Sequence, residues 1–144
     1  MVLNEKGIIK EFELVIYPIN FIAVIGDMEN DLNNSYAPDE KDGNWISGPS
    51  PDTAGRTYII HDSETNQMSV MIWIRSLEEC RGSIFAHECS HATMEIFNFI
   101  GATVDLENQE PFAYLSGALF RLLNGAFFEY KDFLEKKKTK KKKK

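Results

Sequence analysis

Histidine, cysteine and proline are scarce in this chain: three, two and five of each in 144 residues. The two thiols, Cys80 and Cys89, lack C-x-x-C spacing, which excludes a disulfide framework and a cysteine-built zinc cage. They read as small, buried, reduced residues of a reducing compartment. No apolar run approaches the roughly 18 residues that a membrane span requires. The amino end, MVLNEKGIIKEFEL, has no cationic segment followed by an apolar one, so no secretory signal is expected and a cytoplasmic location is. Gly-rich phosphate loops, Walker patterns and Ser-His-Asp arrangements are missing too. What is present, 43% apolar and 26% charged residues, is ordinary for one globular domain.

Positive charge is short everywhere but at one end. Residues 136–144 read KKKTKKKKK and hold eight of the sixteen basic residues. The first 135 residues carry eight basic against twenty-two acidic side chains, a net of −14. Such a body repels nucleic acid, whereas a like-charge lysine block is expected to be disordered, solvated and drawn to polyanions. Residues 1–135 therefore read as one domain and 136–144 as a disordered tail, the one place where nucleic acid could touch the chain.

Along the chain, Ile8 to Tyr17 suits a strand and Phe21 to Ile25 a second apolar segment. Asp27 is placed to cap a short helix over 28–36. From 37 to 56 the composition turns to Pro, Gly, Asp, Asn and Ser, a long loop pinned by Trp45 and Ile46. Thr57 to His61 and Met68 to Ile74, joined by DSETNQ, read as a hairpin. Helical spacing follows, with Ser76 or Ser83 as cap, to Ile100, where Gly101 stops it. A last helix is expected from Glu110 to Leu134, with Pro111 in its first turn. The predicted class is α+β, a sheet of three or four strands, antiparallel or mixed, packed on two long helices.

Residues 87–91 read His-Glu-Cys-Ser-His, an H-E-x-x-H match that chance would produce about 0.006 times in this composition. Positions i and i+4 share a helix face, so His87 and His91 can point at one ion while Glu88 stands about 100° round the axis. Two imidazoles suit Zn²⁺, and the neighbouring carboxylate can take a proton from water beside it. Mn²⁺, Fe²⁺ and Ni²⁺ also suit imidazole. A catalytic zinc needs a third ligand, and no histidine follows His91. Glu110, nineteen residues on, is the candidate, with Glu107 and Asp105 behind it. Tyr114 and then His61 are candidate donors to an oxyanion. Asn108, Glu95 and Asp105 are candidate acceptors for the imidazole N–H groups.

HECSH followed by a glutamate at this distance resembles the gluzincin type of zincin metallopeptidase, over about a quarter of the chain, residues 83–120. The resemblance implies His87, His91 and Glu110 as zinc ligands, Glu88 as general base, and a strand beside the helix that pairs with extended peptide. The chain is far shorter than thermolysin-like enzymes and reads QEPFAYL where they carry Asn-Glu-x-x-Ser-Asp. It is more similar to minimal H-E-x-x-H proteins of phages and bacteria, which for a phage protein would mean the host cytoplasm. The implied fold is a minimal zincin-like domain, and the implied activity is zinc-dependent hydrolysis of a peptide or protein substrate. Two other readings use the same residues: a zinc-stabilised binding or inhibitor module without turnover, and an SprT-like protease acting on DNA-bound protein.

Overall fold

Strands dominate the first half of the chain. The computed structural model describes residues 1–39, 41 and 43–143. Its six strands are β1 (Val2–Asn4), β2 (Gly7–Glu13), β3 (Asn20–Gly26), β4 (Tyr36–Pro38), β5 (Gly55–Asp62) and β6 (Met68–Ile74). Its α-helices are α1 (Glu29–Ser35), α2 (Gly82–Ile100) and α3 (Glu110–Lys142), with a 3₁₀ turn at Leu77–Glu79. The expected α+β class holds, but the sheet is larger than the three or four strands expected. The additions are β1 and β4, three residues each, too short to show alternation in the sequence.

The strands lie in the order β1-β2-β3-β6-β5-β4, and only β3 and β6 run parallel. These two central strands, NFIAVIG and MSVMIWI, are buried on both faces. That burial explains their continuous apolar character. Successive side chains point to opposite faces, so the sheet has two cores. Ile8, Phe21, Ala23, Ile25, Val70, Ile72 and Ile74 meet α2 and α3. Ile9, Ile22, Val24, Ile60, Met71 and Trp73 meet Met28, Leu32 and Ile46 on the other face. Helix α2 covers β5 and β6, while α3 covers β2 and β3.

Among the described residues between β4 and β5, Ile46 to Gly48 are tied to α1 and β5. Asn33 Nδ2 donates to the Ile46 carbonyl, and Ile46 N–H donates to Asn33 Oδ1, both at 2.9 Å. Gly48 N–H donates to Glu29 Oε1, and the Tyr58 hydroxyl donates to the Ser47 carbonyl. Ile46 is buried as expected, whereas Trp45 is half exposed. Below it, Trp73 Nε1–H donates to the Gly26 carbonyl at 2.8 Å, which satisfies a buried donor. Glu40 and Asp42 of this segment, like Lys144, lie outside the described residues.

Three helix ends differ from expectation. Met28 and Arg81, not Asp27 or a serine, precede α1 and α2, and neither side chain caps. Helix α3 runs eight residues past Leu134, to Lys142, where the lysine block suggests disorder. Lysine is a good helix former, and extending an existing helix carries no nucleation penalty. Among the described residues, no helix is long and apolar enough to cross a membrane.

Candidate metal centre

The H-E-x-x-H residues sit in the first half of α2, where the helix turns one side to the sheet and the other to solvent. His87 and His91 are exposed on the outer side, and their Nε2 atoms lie 3.2 Å apart. The rings are 4.8 Å apart, centre to centre, at 72°. Two nitrogens at this separation, each about 2.0–2.1 Å from one ion, would subtend about 100–106°, near the tetrahedral value. The pair therefore fits two corners of a zinc site.

Glu88 lies between that pair and the sheet. It is only 5% exposed, and its Oε2 is buried without a hydrogen-bond partner. Strand β5 makes room for it. A Cβ on Gly55 would stand 3.4 Å from Glu88 Cγ and 3.0 Å from Ile74 Cδ1. Glycine within a strand often marks such a close approach. Two residues on, the Thr57 hydroxyl donates to the Glu88 backbone carbonyl at 3.3 Å. Burial raises the Glu88 pKa above the usual carboxylate value, and the nearby His87 and His91 pull it back in part. A buried carboxylate with an unpartnered oxygen beside two convergent imidazoles fits a metal and its water better than it fits a structural role.

Cys89 faces the core instead, and burial pushes its thiol up to about 12. Cys80 is shifted to about 12 for the same reason, with Glu78 and Glu79 adding to it.

A third ligand does not join the pair. Among the described residues, no three His, Cys, Asp or Glu side chains converge as a metal site would need. The reason lies in where the chain turns back. Helix α2 continues nine residues past His91 to Gly101, which takes φ 75°. Its N–H and that of Ala102 bond back to Asn98 and Phe97, closing the helix in a Schellman turn. The return helix packs antiparallel, with Phe112 edge-on to Phe97 at 5.8 Å. Phe97 is six residues beyond His91, about 9 Å along the axis. Glu110 is thus exposed beside the last turn of α2 rather than opposite the imidazoles. Glu107 and Asp105 are exposed in the connecting loop, where Asp105 Oδ1 accepts from the Glu107 N–H. Tyr114 is 75% exposed on the same first turns of α3. His61 pairs with Met68 and Ala37 at the far end of β5, four residues or roughly 13 Å from Thr57. Among the described residues, neither imidazole bonds to Asn108, Glu95 or Asp105.

A feature that sequence reasoning missed is the open edge of β5. Strand β4 pairs with Ile60, His61 and Asp62, and among the described residues no strand pairs with Gly55 to Ile59 on that side. Arg75 N–H donates to the Ala54 carbonyl, so Ala54 and Arg75 form a hydrogen-bonded pair. Alternation then turns the N–H and C=O groups of Gly55, Thr57 and Ile59 outward. Those of Thr57 and Ile59 border a cleft of about 410 Å³ lined also by Trp45, Ser47, Arg56, Tyr58 and, from α2, Glu95. The Arg56 guanidinium lies 4.9 Å over the Tyr58 ring. Burial raises the Tyr58 phenol to about 12. The glycine at the head of β5 signals the close approach of Glu88, and the edge itself has no signal in β5.

Compared with protein-family models, curated proteins and solved structures, the chain finds no match.

Proposed function

We propose that this chain is a zinc-dependent metallopeptidase of minimal zincin-like form. The observation that supports it is the pairing of two convergent imidazoles with a buried, unpartnered carboxylate one residue away, beside an open strand edge. In this reading His87 and His91 hold the ion through Nε2. Zinc, when bound, supplies Lewis acidity, enough to bring the pKa of a coordinated water to about 7. Glu88 takes a proton from the attacking water and delivers it to the leaving amine. Its burial favours this role, because a carboxylate held in a poorly solvated place takes up a proton more readily. An extended peptide adds as a strand to β5, bonding to the outward backbone groups of Gly55 and Thr57. Thr57 positions Glu88 by holding its backbone carbonyl.

Glu110 is the proposed third ligand, on the resemblance. Reaching the imidazoles takes a shift of residues 101–114. Residues 101–110 are exposed and bond among themselves, to the end of α2 and, through the Gln109 carbonyl, to Ala113, and the Phe112–Phe97 contact is given up. Metal binding can drive such a shift, since its free energy adds to that of folding. Tyr114, one turn on, travels with it as the oxyanion donor.

The test is hydrolysis of a quenched fluorescent peptide library by zinc-loaded protein. Glu88→Gln is expected to lower turnover by at least about 100-fold with zinc content unchanged. Cleavage that survives Glu88→Gln would refute the assignment. Retained zinc with no cleavage by the unmodified protein would leave the binding-module reading in its place.

A further inference from the structure

We propose that the last two turns of α3 bind duplex nucleic acid through its phosphates, a function independent of the metal centre. The lysine block is helical to Lys142, and residues 136–143 are all exposed. Six lysines in the seven residues 136–142 give about one charge per 1.8 Å of helix. Duplex DNA carries one per roughly 1.7 Å, so the two charge densities match.

The protein itself uses little of this charge. Lys136 pairs with Asp132 at 2.9 Å and Lys137 with Glu5 at 3.0 Å. Lys141 adds to the field that lowers the Glu5 pKa, which places 137 and 141 on the side toward the body. Among the described residues, Lys138, Lys140, Lys141, Lys142 and Lys143 have no ion-pair partner within 4.0 Å. Five like charges within six residues at the end of α3 repel, and a polyanion relieves that repulsion. A membrane surface is the weaker partner. An interfacial helix needs an apolar face, and residues 136–144 contain only lysine and one threonine. The rest of the chain, at −14, confines contact to the tail.

The experiment is fluorescence anisotropy of a labelled 20-base-pair DNA duplex of mixed sequence with the full chain. Five phosphate contacts give a slope of log K against log salt near −4.5, or about 20-fold weaker binding at 100 mM than at 50 mM KCl. Replacing Lys138, Lys140, Lys141, Lys142 and Lys143 together by glutamine, which keeps helix propensity, is expected to abolish binding at 50 mM KCl. The same five changed to arginine should restore it. No binding by the unmodified chain at 50 mM KCl, or equal binding by the glutamine variant, would overturn the proposal. So would binding to phosphatidylcholine–phosphatidylserine vesicles without binding to the duplex.

Discussion

Replacing Glu88 by leucine is expected to stabilise the metal-free protein while abolishing hydrolysis. The structure seals Glu88 Oε2 from water and gives it no donor. An acceptor left in that state costs about 1–3 kcal/mol, and more when it is charged. Leucine removes the acceptor and keeps an apolar stem against Ile74 Cδ1 and the open face of Gly55. The Thr57 bond goes to the backbone carbonyl of residue 88, so it survives the change. A gain of about 1–3 kcal/mol corresponds to roughly 3–9 °C in Tm for a chain of this size. The assay is thermal unfolding followed by circular dichroism at pH 7 with excess chelator, beside a peptide hydrolysis assay on zinc-loaded samples. Destabilisation of more than about 1 kcal/mol would refute the reasoning, because Glu88 would then be part of the fold's support rather than a strained functional group.

Three further outcomes follow from the packing. Phe85 is 2% exposed and meets Phe120 and Phe127 edge-on at 5.8 and 6.1 Å, so Phe85→Ala should cost about 3–5 kcal/mol in urea unfolding. A loss below about 1 kcal/mol would mean that α2 docks without it. Asn33→Ala removes the reciprocal bonds to Ile46, for about 2 kcal/mol, and should speed proteolytic nicking between β4 and β5; unchanged nicking would speak against the tether. Asp62 accepts from the Glu64 and Thr65 N–H groups, which hold its pKa below 3.8. Its contribution is therefore present above pH 3.8 and is lost as pH falls through the lowered value. Asp62→Ala should be less stable than the unmodified chain at pH 7 and converge with it in acid, and a gap that persists in acid would contradict the turn assignment.

Much of this fold could be read from periodicity. The β5–β6 hairpin, the long α2 with its stop at Gly101, and Pro111 opening α3 all follow from local chemistry that tertiary packing leaves unchanged. The three-residue strands VLN and YAP were hidden because their pairing is decided by neighbours far along the chain. The parallel match of β3 with β6 was hidden for the same reason, since a continuous apolar run does not say which strand lies beside it. At the candidate site, His87, Glu88 and His91 were legible because i and i+4 spacing has one geometric consequence on a helix. Glu110 was harder, because its position depends on how far α2 runs past His91 before the chain turns. The open edge of β5 depends on where β4 ends, and no residue of β5 encodes that.

Elemental analysis of the purified, zinc-loaded chain tests the central claim most directly. About one zinc per chain is expected, falling close to zero in His87→Ala and in His91→Ala and markedly reduced in Glu110→Ala. A full complement of zinc in His87→Ala, or no zinc in the unmodified chain, would contradict it.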